Sequence, residues 1–165
     1  MKTSSCRTVD RIVEMNYTTR PATDADIEWL DPFYEALMKP YVELTHKWDK
    51  TKFRKSFSPE HTGIIQSDGQ DIGMLKVERK NKYIFLGDIQ IKKEFQRKGI
   101  GSRLISELIQ QSKSEGLPIR LRVLKGNPAI RLYQRLGFAV ARELDNCYQL
   151  EYTVQELQRA YEFNS

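Results

Sequence analysis

Cysteine and histidine are nearly missing from this chain of 165 residues, which has two of each: Cys6, Cys147, His46 and His61. The thiols lie far apart, and none of the four stands at metal-ligand spacing from another, which argues against a structural zinc site. Long hydrophobic runs are missing too. No apolar stretch approaches the length a bilayer requires. The N-terminus lacks a long apolar segment of the signal-peptide kind, so the expected compartment is the cytoplasm. Both common nucleotide signatures are absent. No window fits G-x-x-x-x-G-K-[ST], and a G-x-G-x-x-G reading started at Gly99 ends on Leu104. There is no internal repeat, no low-complexity linker, and no aromatic–basic interleaving of the sort that stacks bases.

What is present reads as an ordinary globular protein. Hydrophobic residues make up 39% and charged residues 30%, at a length that fits one domain with a sizeable core. The net charge of +5, from 27 basic and 22 acidic residues, could serve nucleic acid or an anionic cofactor. Lys92, Lys93, Arg97, Lys98 and Arg103 concentrate around one short stretch, which makes nucleic acid the less favoured partner.

That stretch is residues 89–102. Ile89, Gln90 and Ile91 close an alternating strand, a basic segment follows, and Gly99 and Gly101 precede an apolar helical face of Ile100, Leu104, Ile105, Leu108 and Ile109. A helix start offers unpaired N–H groups and the positive end of the macrodipole, and glycines let an anion reach the backbone. Arg97 and Lys98 add full charge. Taken alone, the stretch is equally well a surface connection with a basic helix start. After one intervening strand comes Asn127-Pro128-Ala129-Ile130-Arg131-Leu132-Tyr133-Gln134-Arg135-Leu136-Gly137-Phe138. Asn127 suits an N-cap, Pro128 a first helical position, and Gly137 a left-handed C′ residue. Ala129, Leu132, Tyr133 and Leu136 form the apolar face.

Read as Q-x-x-G-x-G at Gln96, Gly99 and Gly101, followed by N-x-x-A-x-x-x-Y-x-x-x-G-F, the two segments in this order resemble the GCN5-related N-acetyltransferases. The resemblance covers roughly residues 61–152 and is looser before them. It implies an α/β (α+β) fold: a central mixed, mostly antiparallel sheet of about six to seven strands, flanked by helices, with a splayed parallel strand pair at the acyl-CoA site. It implies acetyl-CoA as cofactor. By the match, Ile89, Gln90 and Ile91 line the pantetheine arm, and Gln96, Arg97, Lys98, Gly99, Ile100, Gly101 and Ser102 hold the pyrophosphate, with Asn127 nearby. Tyr133 matches the family tyrosine that protonates the departing thiolate, although a core tyrosine on the helix's apolar face is the plainer reading. The general base is less determined. Many members carry an acidic residue at the positions matching Gly87 or Asp88. The first is glycine here, leaving Asp88, then Glu43, then bulk solvent. The acceptor side is expected around Tyr34, Glu43 and Trp48, with Tyr41 and His46 also to watch, though core packing is the simpler role for the aromatics. The activity implied is acetyl transfer to a primary amine of a small molecule or peptide; the alternative is a catalytically silent acyl-CoA-binding module. Members often form homodimers, and Tyr148, Leu150, Tyr152 and Tyr161 are many apolar groups for a chain end.

In chain order, residues 1–14 read as a flexible extension before one domain over 15–165. A strand is expected over 16–21. Thr23 and Asp26 resemble a capping box before a helix that Pro32 interrupts and Pro40 ends. A second helical segment is expected from near Asp49. Asp68-Gly69 marks a hairpin turn, and three antiparallel strands lead to the glycine loop. In the last of them Tyr83, Phe85, Ile89 and Ile91 are assigned to one face. Gly116 and Pro118 end the loop helix, a strand with Ile119, Leu121 and Val123 follows, two strands close around Asp145-Asn146, and a short helix is expected over 155–163.

Overall fold

The computed structural model describes residues 16–155. The expected extension over 1–14 lies outside this range, as does the expected terminal helix beyond Gln155. Strand β1 (Tyr17–Pro21) leads through a 3-10 turn into helix α1 (Ile27–Val42) and a short helix α2 (Lys52–Ser56). Strands β2 (Thr62–Ser67), β3 (Gln70–Arg79) and β4 (Ile84–Ile91) follow, then α3 (Ile100–Glu115), β5 (Ile119–Leu124), α4 (Ala129–Arg135), β6 (Ala139–Glu143) and β7 (Cys147–Tyr152). They form one seven-stranded sheet in the order β1-β2-β3-β4-β5-β7-β6. Only β4 and β5 run parallel; every other neighbouring pair is antiparallel.

Local chemistry explains most of these elements. Asp68 and Gly69 take φ of 49° and 75°, the doubly left-handed turn that matches the twist of a two-residue hairpin. The Asp26 carboxylate accepts the Thr23 N–H at 2.8 Å, and it is also held by Arg20 at 2.7 and 2.9 Å and by the Trp29 indole at 3.1 Å. Gly116, with φ 67°, ends α3, and Gly137, with φ 99°, ends α4. At Gly137 the Phe138 N–H reaches back to the Tyr133 carbonyl at 3.0 Å.

Helices α3 and α4 cover one face of the sheet. Ile105, Leu108, Ile109, Tyr133 and Phe138 meet Ile84, Leu86, Ile119, Leu121, Val123 and Leu150 in the largest core cluster. Each such side chain contributes roughly 1.5–3 kcal/mol by leaving water. Helices α1 and α2 cover the opposite face over β2 and β3, through Leu30, Phe53, Ile64 and Met74, with Tyr34 stacked on Phe53 at 4.3 Å. Tyr148, Leu150 and Tyr152 belong to the first cluster rather than to an exposed patch, and Tyr161 lies outside the described residues.

Two expectations are corrected. Helix α1 runs unbroken through Pro32 and Pro40 and stops two residues later. Each proline removes one hydrogen bond near a helix end, and packing of Leu30 and Tyr34 outweighs that loss. The face assignment in β4 also fails midway. The register with β3 slips between Lys76 and Val77, so that Lys76 pairs with Asp88 but Val77 pairs with Leu86. Gly87 is thus the extra residue of a β-bulge. Before it, Ile84 and Leu86 face α3; after it, Ile89 and Ile91 do. Tyr83 and Phe85 therefore lie on the face opposite Ile89 and Ile91.

Candidate active site

The bulge at Gly87 coincides with a break between the parallel strands. β4 and β5 pair at Ile84↔Ile119, Phe85↔Arg120 and Leu86↔Leu121, and no further. β4 continues to Ile91 against β3, and β5 continues to Leu124 against β7. A gap opens between them. The Lys92 N–H donates to the Ile72 carbonyl at 2.8 Å. Strand alternation then turns the Gln90 backbone toward β3 and the Ile89 and Ile91 backbones toward the gap. There they form an open edge that an extended ligand can pair with.

The glycine loop closes the end of this gap. Residues Lys93–Phe95 make a 3-10 turn, and the Gln96 side chain folds back so that its Nε2 donates to the Ile91 carbonyl at 2.7 Å. Arg97 at φ 58° and Gly99 at φ 84° are both left-handed, with Lys98 between them at negative φ. Alternation of this kind makes successive N–H groups converge into an anion-binding concavity. A non-glycine residue held left-handed is strain of the type that gathers at functional sites. Arg97, Lys98 and Gly99 are exposed, whereas the Ile100 side chain is 2% exposed and packs in the core. Only the backbone of Ile100 can meet a ligand. A Cβ on Gly101 would lie 3.8 Å from Ile91 and Leu132, an ordinary contact.

Asp88 approaches the gap from the α1 face. Gln90 Nε2 donates to its carboxylate at 2.7 Å and also lies 3.0 Å from the Met38 sulfur. Burial raises the Asp88 carboxyl above its ordinary value. Gln90, the Tyr34 hydroxyl, the Ile89 N–H and the charge of Lys76 act the other way without cancelling the effect. Burial, and then the charge of Asp88, keep the Tyr34 phenol protonated. Tyr133 comes from the opposite face on α4. Its ring is buried and meets Phe138 edge-on at 5.8 Å. Its hydroxyl has no protein partner among the described residues, yet it is not sealed from water; the one sealed and unpaired side-chain atom among those residues is Trp48 Nε1, elsewhere in the fold. Burial first, and Asp88 second, raise the Tyr133 phenol as well. A protonated phenol on α4 and the Asp88 carboxyl thus lie toward opposite faces of the sheet, near enough for the charge of Asp88 to act on the Tyr133 hydroxyl.

The chain belongs to the GNAT acetyltransferase family. The family model described as "Acetyltransferase (GNAT) family" matches residues 25–138, more than half of the chain. The protein is an acyltransferase whose cofactor is acetyl-CoA. No curated protein sequence matches it. Solved structures share the fold at low identity. PaiA N-acetyltransferase of Thermoplasma acidophilum, in complex with coenzyme A, is 20% identical, with TM-score 0.69 over 84% of this chain and 99% of that one. The ribosomal-protein-S18-alanine N-acetyltransferase of Escherichia coli is 18% identical, with TM-score 0.60 over 84% and 94%. Arabidopsis thaliana Naa50, in complex with the bisubstrate analogue CoA-Ac-MVNAL, is 16% identical, with TM-score 0.61 over 83% and 98%.

The remaining expected GNAT site residues scatter. Asn127 precedes α4 and its Oδ1 accepts the Ala129 N–H at 2.9 Å, leaving its amide N–H groups open. Tyr34 lines a small cleft of about 200 Å³ together with Phe53, Phe57, Lys76, Phe85 and Asp88. Trp48 sits beside Tyr34 at 6.3 Å. Glu43 is exposed at the end of α1 and is not among the residues that line this cleft. Tyr41 is half-buried at the end of α1, and His46 is exposed. Sequence reading missed Lys76. It stands opposite Asp88 in the register, its Nζ donates to the Ser56 carbonyl at 3.1 Å, and its stem would meet a Cβ on Gly87 at 3.3 Å. The signal available was an opposite-charge cross-strand pair, but the bulge hid the register.

Proposed function

We propose that the protein transfers the acetyl group of acetyl-CoA directly to a primary amine of a small molecule or peptide, within a ternary complex. The observation that carries this reading is the unpaired stretch of β4 with Asp88 on one side and Tyr133 on the other. The loop over 96–102 binds the pyrophosphate through its backbone N–H groups, with Arg97 and Lys98 supplying charge. Ile89 and Ile91 offer the gap-facing backbone groups that hold the pantetheine arm as an added strand, with Gln90 between them, and Asn127 supplies polar contact from the far wall. A strand N–H at the gap polarises the acyl carbonyl.

An alkylammonium, with a pKa near 10.4, must lose a proton before it attacks. Asp88, with its raised carboxyl, takes that proton directly or through water, at a value nearer the working pH than an ordinary carboxylate provides. Tyr133 then donates its phenolic proton to the leaving CoA sulfur. Tyr34 and Trp48 shape the acceptor side. Glu43 is the weaker candidate for base, because it is exposed and is not among the residues lining the Asp88 cleft. The rival reading, a silent acyl-CoA-binding module, has no use for a tyrosine hydroxyl left unpaired at the gap.

The test joins binding and turnover. CoA should raise the melting temperature of the wild type by linkage, and thiol release should require both acetyl-CoA and an amine. Gly99→Asp, which adds strain and negative charge at a left-handed position, and Gly101→Asp, which adds mainly charge, should each reduce the CoA-induced shift. An equal shift in both variants would refute the loop assignment, and CoA binding without thiol release across a broad amine panel would favour the silent module.

A further inference from the structure

Helices α1 and α2 pack on the acceptor-side face over β2 and β3, and none of their residues joins the core cluster built on β5 and β7. On the acceptor-side face of β5, β7 and β6 the strand registers align three side chains in one row. Arg122 pairs with Gln149 across β5 and β7, and Gln149 pairs with Arg142 across β7 and β6. Their orientation follows from alternation: the neighbours Leu121, Val123 and Leu150 are buried on the α3–α4 side. Arg122 and Arg142 are exposed, and neither has a carboxylate partner among the described residues. Their basic neighbours differ. Arg120 is held by Glu151 at 2.7 Å and lies over the Tyr83 ring at 4.5 Å, and Lys125 is held by Glu143 at 2.7 Å. Arg122 is also the first β5 residue beyond the last β4–β5 pair, so it borders the gap on the face that carries Asp88.

Resting on the transfer reading above, we infer that Arg122 and Arg142 form an anion subsite of the acceptor, selecting an acidic peptide whose N-terminal amine reaches Asp88. Arg122 is the row's nearest member to Asp88, on the strand that borders the gap, and Gln149 and Arg142 follow it at strand spacings of about 4.8 Å. An extended peptide advances roughly 3.3–3.6 Å per residue, which brings the side chains of its second and third residues over the row. Arginine presents a planar fork suited to a carboxylate. Gln149, between the two, offers an amide donor to the same group. The cleft beside Asp88 already contains the Lys76 ammonium, which disfavours a polycationic acceptor there.

The experiment titrates the CoA-loaded protein with C-terminally amidated tetrapeptides that carry Glu-Glu, Gln-Gln or Lys-Lys at positions two and three, and measures thiol release with acetyl-CoA for the same set. The acidic peptide should bind about tenfold or more tightly than the neutral one, and the ratio should fall toward one in Arg122→Gln and Arg142→Gln. Arg79→Gln removes the same charge far from the row and should keep the preference. Equal binding of acidic and neutral peptides, or a preference that survives both row variants, overturns the subsite. Selective binding of the acidic peptide without thiol release keeps the subsite and overturns transfer to the peptide amine, so the two failures are distinct.

Discussion

Replacing Tyr133 by phenylalanine separates catalysis from packing more cleanly than any other single change. The ring carries the structural contribution: it is 8% exposed and packs edge-on against Phe138. The hydroxyl carries none, since it has no protein partner among the described residues and is not sealed from water. Removing it creates no cavity and strands no partner, so the denaturant midpoint should be unchanged and stability should move by less than about 0.5 kcal/mol. Affinity for CoA should hold for the same reason. Turnover should not. A general acid contributes about 10²–10⁴-fold, and a hundredfold loss is about 2.7 kcal/mol of transition-state stabilisation. Single-turnover thiol release at saturating acetyl-CoA and amine is the proper assay, because steady-state rates can be masked by slow product release. Full single-turnover activity in Tyr133→Phe would return that residue to the core and leave the CoA sulfur to be protonated by solvent.

The other predictions concern Asp88, Asp26 and Gly73. In the wild type the acidic limb of kcat/KM should lie above the ordinary aspartate value near 3.9, because the base must be ionised and burial raises its carboxyl; Asp88→Asn should abolish that limb, lower turnover, and recover only at high pH, where solution supplies neutral amine. A raised folded-state value also means that ionising Asp88 costs stability as pH rises through it, so Asp88→Asn should melt higher than wild type at neutral pH; a lower melting temperature would count against the raised carboxyl. Asp26 is the opposite case: Arg20, opposed in part by burial, holds it well below the usual carboxylate range, so its contribution is present above about pH 4 and is lost only in strong acid. Asp26→Asn should cost about 3 kcal/mol in a denaturant titration, and an unchanged midpoint would sink the assignment. A Cβ on Gly73 would come within 2.1 Å of the Gln90 carbonyl oxygen, so Gly73→Ala should cost about 1–3 kcal/mol and weaken CoA binding by displacing the β4 edge; normal values for both would show that β4 moves freely.

Much of this molecule is legible in its sequence because local rules and tertiary fold agree. Asp68-Gly69 makes its hairpin, Gly116 ends α3, and Asn127 caps α4 through its side chain. The alternation in β5 correctly separates Ile119, Leu121 and Val123 from Arg120 and Arg122. What stayed hidden depends on register and on long-range packing. Helix α1 survives its prolines through contacts with residues far along the chain. The opposition of Lys76 to Asp88 is set by which residue the bulge leaves unpaired, and the Arg122–Gln149–Arg142 row needs two strand registers at once. Exposed arginines read singly from sequence are only surface charge.

Gly87 shows why the site and the irregularity coincide. Read from sequence it is a loss, because the family resemblance implies an acid at or beside this position. In the fold it is the bulged residue, and its missing side chain leaves room for the Lys76 stem at 3.3 Å from where a Cβ would be. The bulge has three consequences together. It ends the pairing of β4 with β5 after Leu86, which opens the gap. It reverses the alternation, so that Asp88 and Gln90 face α1 while Ile89 and Ile91 pack toward α3. It also sets Lys76 opposite Asp88, where the ammonium limits how far burial raises the carboxyl. A regular strand through residue 87 would turn Asp88 into the α3 core and continue the parallel pairing across the gap. Substituting Gly87 therefore tests the site as a unit: Gly87→Ala presses a methyl group on the Lys76 stem, and the displaced ammonium should shift the acidic limb of kcat/KM along with the rate. A rate change with an unmoved limb would separate Lys76 from the tuning of Asp88.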